Sequence, residues 1–136
     1  MTPVYCEVKH NPPETYGDCV RACIATLLDK SGDQVPHFYH DADAVAGLQR
    51  LTTYLASLGY APFYSHYDGS LPLADVLNMM RENNPTVPYM LYGYTVTGPH
   101  VVVAKGDRVV HDPVWIPTGL TGPFYDHWSV MVIARA

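Results

Sequence analysis

"YGDCVRACIATLL", residues 16–28, carries the pattern on which the fold reading turns. Val20, Cys23, Ile24, Leu27 and Leu28 fall at i, i+3, i+4, i+7 and i+8. That spacing predicts one buried stripe on a helix running from about Asp18 to Lys30. Asp18 is the N-cap candidate. Cys19 then sits on the first turn, where unpaired N–H groups and the positive end of the helix dipole favour a thiolate. Such a position predicts a thiol pKa below the free value of about 8.5. Asp18 opposes this through like charge, and Arg21 partly offsets it. The competing reading is a core cysteine, because Cys is among the most buried residue types.

Outward from this helix the chain organises readily. Before it, "VYCEV" (residues 4–8) alternates like a short strand, which would make Cys6 a core residue, and "HNPPETYG" (10–17) is a loop. After it, "SGDQVPHF" breaks the helical pattern. A second helix is expected from about Asp43 to Leu58, with Val45, Leu48, Leu51, Leu55 and Leu58 as its stripe and Gly59 as its stop. "YAPFYSHY" reads as a strand and "LADVLNMMREN" (73–83) as a short helix ending before Pro85. The remainder is β-rich: "TVPYMLYGYT", "HVVVA", a tight "KGD" turn, "RVVHDP" and "HWSVMVIAR" (127–135). No repeat or linker interrupts residues 1–136. The expectation is a single α+β domain with helices first, the cysteine helix packed on a mainly antiparallel sheet.

The hairpin "GPHVVVAKGDRVVHDP" supplies the second chemical element. His100 opens one strand and Asp112 closes the next. A hairpin symmetric about Gly106 would make them direct cross-strand partners on one face, with Cβ atoms ~5 Å apart. A two-residue "GD" turn would put them on opposite faces. A carboxylate beside an imidazole fixes its tautomer and stabilises the imidazolium. Cys19, His100 and Asp112 are therefore the candidate catalytic residues.

Cysteine at a helix start, His at a strand start and Asp-Pro at the end of the next strand resemble the papain-like cysteine peptidase superfamily. The nearest pattern is the bacteriocin-leader-processing (double-glycine) peptidase branch. There "DCG.AC" precedes "H.VVV.G...V.V.DP"; here the chain reads "GDCVRAC" and "HVVVAKGDRVVHDP". The first half, "YGDCVRACIATLL…VPHF", is also similar to small uncharacterised proteins encoded by phages and prophages. The resemblance touches about a third of the chain. It implies a papain-like fold and a Cys-His-Asp thiol hydrolase cleaving an amide, peptide or isopeptide bond. It also implies a role for a glutamine donor before the cysteine, but Pro13 stands there and Gln34 and Gln49 come later. Asn11 or His10, with the Cys19 backbone N–H, are the candidate oxyanion donors. The residue after the cysteine is Val20 where the pattern has Gly.

Other residues have competing readings. Cys23 belongs to the helix stripe and reads as core. Cys19 and Cys23 with His100 or His111 would be a minority zinc arrangement, so no metal is assigned. "HFYHDAD" (37–43) reads as a polar loop with Asp41 or Asp43 capping the second helix, against an adventitious metal site. His111 should face outward and His127 should lie at a surface strand end; His66 has no nameable partner. Tyr89, Tyr92 and Tyr94 cluster before His100. Tyr92 and Tyr94, with Trp128, are candidates to wall a groove for an extended peptide, against ordinary strand packing.

Composition bounds the function. Hydrophobic residues are 48% and charged residues 15% of 136, which fits a folded domain. A net charge of −5 without a Lys/Arg cluster argues against nucleic-acid binding. No signal-like or membrane-spanning run is present, and three cysteines read as reduced thiols. The expectation is a cytoplasmic enzyme, in the host cytoplasm if phage-encoded, acting on a peptide or protein without a cofactor. Two alternatives stand beside it: an inactive papain-like scaffold serving as a binding or inhibitory protein, and a transglutaminase or acyltransferase using the same triad.

Overall fold

A computed structural model describes all 136 residues. The elements are α1 (Cys19–Leu28), α2 (Ala44–Ser57), β1 (Tyr60–Asp68), α3 (Leu73–Asn83), β2 (Tyr89–Thr95), β3 (Gly98–Lys105), β4 (Arg108–His111), β5 (Gly122–Pro123) and β6 (His127–Arg135), with a 3₁₀ turn at Gly32–Gln34. The architecture is α+β. The chain divides into two compact units. The first comprises Met1–Pro62, Pro113–Trp115 and Ile133–Ala136; the second comprises Phe63–Asp112 and Ile116–Val132. No helix is long and apolar enough to cross a membrane.

In the first unit α1 begins at Cys19 and ends at Asp29, whose left-handed backbone (φ 56°) turns the chain out of the helix. Ala22, Cys23, Ile24 and Ala25 are buried, as the stripe predicts for Cys23 and Ile24. Asp43 caps α2 by accepting the Ala46 N–H at 3.0 Å. The α2 stripe is narrower than predicted. Leu51 and Leu55 are fully buried, whereas Val45, Leu48 and Leu58 are exposed. Gly47 shares the buried face, and a Cβ there would lie 2.4 Å from the Tyr39 ring.

Residues 4–8 form no strand, contrary to the alternation. The Val4, Glu7 and Val8 N–H groups are satisfied instead by side chains of α1 and its N-cap. Thr2 N–H donates to Asp29 Oδ1 and Val4 N–H to Thr26 Oγ1, both at 3.0 Å. The Glu7 and Val8 N–H groups donate to the Asp18 carboxylate. The segment therefore runs antiparallel along α1. The Cys6 N–H donates to the Pro113 carbonyl at 2.8 Å, and Tyr5 stacks on Trp115 at 3.9 Å.

The second unit is built on the sheet, of strand order β1-β6-β2-β3-β4, with the short β5 also pairing β2. β2 is antiparallel to β3, β5 and β6. β1 enters between α2 and α3, so the helices do not all precede the sheet. On one face Val76 and Met80 of α3 pack with Tyr89, Leu91, Val102, Ala104, Trp128 and Val130. Apolar residues at both parities of β3 are buried, Val101 and Val103 as well as Val102 and Ala104, which makes it a strand covered on both faces.

The β3–β4 turn is the two-residue Gly106–Asp107 connection, with Lys105 opposite Arg108. It is not symmetric about Gly106. Gly106 has φ 59°, a conformation that favours glycine, and its carbonyl accepts the Tyr89 hydroxyl at 2.8 Å. With this turn alone His100 and Asp112 would face opposite ways. The register then shifts: Ala104 pairs Val109, but Val103 pairs His111. Val110 is the extra residue of a β-bulge. Continued one residue past β4, the new register brings Asp112 opposite Val102 and onto the face of His100.

Opposite His100 on β2 stands Gly93. A Cβ there would lie 2.7 Å from the Gly122 carbonyl and 2.9 Å from the Trp128 ring. Gly93→Ala is expected to lower stability by about 1–3 kcal/mol through overpacking, read as a lower urea midpoint. An unchanged midpoint would contradict this packing.

Candidate functional site

Cys19 stands in the first unit, at the N-terminus of α1, and is half-buried. None of the three cysteines is in a disulfide. Asp18 occupies the N-cap position but makes no side-chain cap bond to the helix. Its carboxylate, only 2% exposed, serves other donors. The Val8 and Glu7 N–H groups reach it at 3.0–3.2 Å, and Arg21 Nη2 at 2.5 Å. Burial opposes its ionisation, but these N–H groups and the guanidinium outweigh burial and hold the carboxyl below the usual carboxylate range. The negative charge beside Cys19 is thus already neutralised by Arg21.

Cys6 is the residue that sequence reasoning missed. It is not a core strand residue. It is half-buried, and its S–H donates to Cys19 Sγ at 3.5 Å. That hydrogen bond, followed by burial and the neighbouring negative charge, pushes the Cys6 thiol far up. Cys6 therefore keeps its proton, which it donates to the Cys19 sulfur. The one available signal was the proximity of Cys6 to the helix start in sequence. Cys23, one turn further along α1, is fully buried and belongs to the core.

His100 and Asp112 meet in the second unit. His100 Nε2 lies 2.7 Å from Asp112 Oδ1, with side chains 5% and 11% exposed. A carboxylate accepts only, so the bond places the proton on Nε2 and leaves Nδ1 as the basic nitrogen. Burial of both groups makes this charge-assisted bond resistant to screening by salt.

The remaining candidates are placed as follows. The exposed His10 accepts the Gly17 N–H on Nδ1 at 3.1 Å. Asn11 is exposed, and its backbone pairs with Thr15 in both directions. Both residues thus shape the turn that leads into Cys19. Trp128 is core, not groove wall: it is 3% exposed and its indole N–H donates to the Leu71 carbonyl at 3.0 Å. Tyr92 and Tyr94 are half-buried. Tyr94 stacks on Phe124 at 5.6 Å, and Tyr92 packs 6.3 Å from Tyr64.

Two of the other histidines depart from expectation. His111 is buried, not outward, because it pairs with Val103 of a strand covered on both faces. His66 does have partners: Ser129 Oγ at 2.9 Å and the His127 ring at 4.9 Å. His127 lies beside Asp126 at 3.1 Å. In the "HFYHDAD" loop, Asp43 caps α2, Asp41 pairs with Arg50, and His37 Nε2 bonds the Tyr16 carbonyl at 2.7 Å. No protein-family model, curated protein or solved structure matches this chain.

Asp18 offers a direct stability test. Its folded pKa is depressed, so its contribution is present above the unfolded value of about 3.9 and is lost as pH falls through the folded value. Asp18→Asn is expected to cost about 1.5–3 kcal/mol at pH 7, the range for hydrogen bonds to charged groups. The gap to wild type should shrink below about pH 4. Urea unfolding at pH 7 and pH 3 reads both. An equal gap at the two pH values would contradict the role assigned to the charge.

Proposed function

We propose that the chain is a cysteine-dependent acyl-transfer hydrolase of papain-like type, with Cys19 as nucleophile, His100 as general base and acid, and Asp112 as the positioning carboxylate. The observation that carries the reading is the 2.7 Å bond from Asp112 to Nε2 of a buried His100, which leaves the opposite ring nitrogen basic. The setting of Cys19 supports it. The sulfur lies at a helix N-terminus, the adjacent Asp18 is neutralised by Arg21, and an S–H donor stands 3.5 Å away. The order of motifs along the chain, Cys at a helix start and then His and Asp-Pro on a hairpin, supports it further.

In this reading His100 Nδ1 takes the Cys19 proton and the thiolate attacks the carbonyl carbon of an amide or peptide bond. His100 returns the proton to the leaving nitrogen as the C–N bond breaks. Water then resolves the thioester, regenerating the thiol and releasing a carboxylic acid. An amine in place of water gives the transferase outcome. The chemistry calls for no cofactor, and the partner is a peptide or protein. The backbone N–H of Cys19 is one candidate oxyanion donor, and Asn11 and His10 remain the side-chain candidates.

The test is site-resolved alkylation by iodoacetamide, read by mass spectrometry of the Cys19 peptide between pH 5 and 9. An ordinary thiol of pKa about 8.5 is thiolate to less than about one part in a hundred at pH 6. Wild type is expected to label Cys19 readily at pH 6. His100→Ala should slow that step by about tenfold or more, and Asp112→Ala should fall between them. An ordinary thiol profile indifferent to His100 would overturn the enzyme reading in favour of the binding or inhibitory scaffold.

A further inference from the structure

We propose that Cys6 and Cys19 form an oxidisable thiol pair, a modification site at which a peroxide converts the two thiols into a reversible disulfide. The geometry carries it. The two sulfurs lie 3.5 Å apart, already in contact, with Cys6 donating to Cys19. A disulfide needs them at about 2.05 Å, so closure takes ~1.5 Å of relative movement. Cys6 lies outside every helix and strand, so the movement is asked of an irregular segment and not of a helix or sheet. Both residues are half-buried, while Cys23 is fully enclosed. Peroxide therefore reaches the pair and not the third thiol.

The chemistry balances with hydrogen peroxide as the oxidant. The Cys19 thiolate sulfur attacks one peroxide oxygen, the O–O bond breaks, and hydroxide leaves and takes up a proton as water. Cys19 becomes a sulfenic acid, oxidised by two electrons. Cys6 sulfur then attacks the Cys19 sulfur. The S–O bond breaks, the departing hydroxide takes the Cys6 proton as a second water, and the disulfide forms. A dithiol reductant reverses it by thiol–disulfide exchange. Cys6 is thus the resolving cysteine that diverts Cys19 from sulfinic and sulfonic acids, which thiols do not reverse. That the disulfide would also switch off acyl transfer rests on the function proposed above; formation of the bond does not.

The experiment treats the native protein with hydrogen peroxide, quenches in acid with N-ethylmaleimide, and maps peptides without reduction. The expected result is a loss of ~2 Da, two of the three thiols protected from the maleimide, and a linked Cys6–Cys19 peptide that dithiothreitol resolves. Cys23→Ser should give the same link. Cys6→Ser and Cys6→Ala, their folding checked by circular dichroism, should accumulate sulfenic and then sulfinic acid at Cys19. The proposal is overturned if wild type yields no linked peptide, or if Cys19 over-oxidises equally with and without Cys6. Because the readout is mass, a linked peptide in a protein without acyl-transfer activity would uphold the pair and count against the proposed function alone.

Discussion

The buried carboxylate of Asp18 organises the first unit. One nearly inaccessible negative charge collects the Glu7 and Val8 N–H groups and the Arg21 guanidinium. A buried charge persists only when paired and hydrogen-bonded in this way. The result is a segment with no sheet or helix of its own, fixed along α1 by donors at Thr2, Val4, Glu7 and Val8. That lacing brings Cys6 to Cys19. It also spends the charge that would otherwise discourage a thiolate on the first turn.

The second unit depends on a different constraint, the parity of a strand. The tight Gly106–Asp107 turn suits the hairpin but assigns Asp112 to the wrong face. One extra residue, Val110, restores it. Bulges re-aim side chains at the expense of a ladder position, and here two side chains are re-aimed together. Asp112 is turned onto the face of His100, and His111 onto the face of Val103. Gly93, opposite His100, lets Gly122 and Trp128 close in around the same stretch of sheet.

Much of this is legible in the sequence. α3 and β6 begin and end where the pattern places them, and α1, α2 and the central strands differ only at their ends. Periodicity reports burial, and burial is what these elements share. The α2 stripe was over-read because Val45, Leu48 and Leu58 fit the period yet have nothing covering them. Residues 4–8 alternate yet form no strand, because alternation shows which way side chains point, not where the N–H groups go. His100 and Asp112 do meet, but through a register other than the expected one, since no local signal marks Val110 as a bulge. Trp128 looked like a groove residue because an aromatic at a strand start fits either role; its indole N–H bond to Leu71 settles it as core. The Cys6–Cys19 contact joins two irregularly connected segments, and spacing alone does not report such contacts.

The central proposal is that His100 acts on Cys19 as general base while Asp112 holds Nε2–H. The most direct measurement is ¹⁵N NMR of selectively labelled histidine in wild type and Cys19→Ala near neutral pH. The account predicts imidazolium nitrogen shifts for His100 in wild type. In Cys19→Ala it predicts a neutral ring with its proton on Nε2. Identical His100 spectra in the two proteins, or a neutral tautomer with the proton on Nδ1, would contradict it.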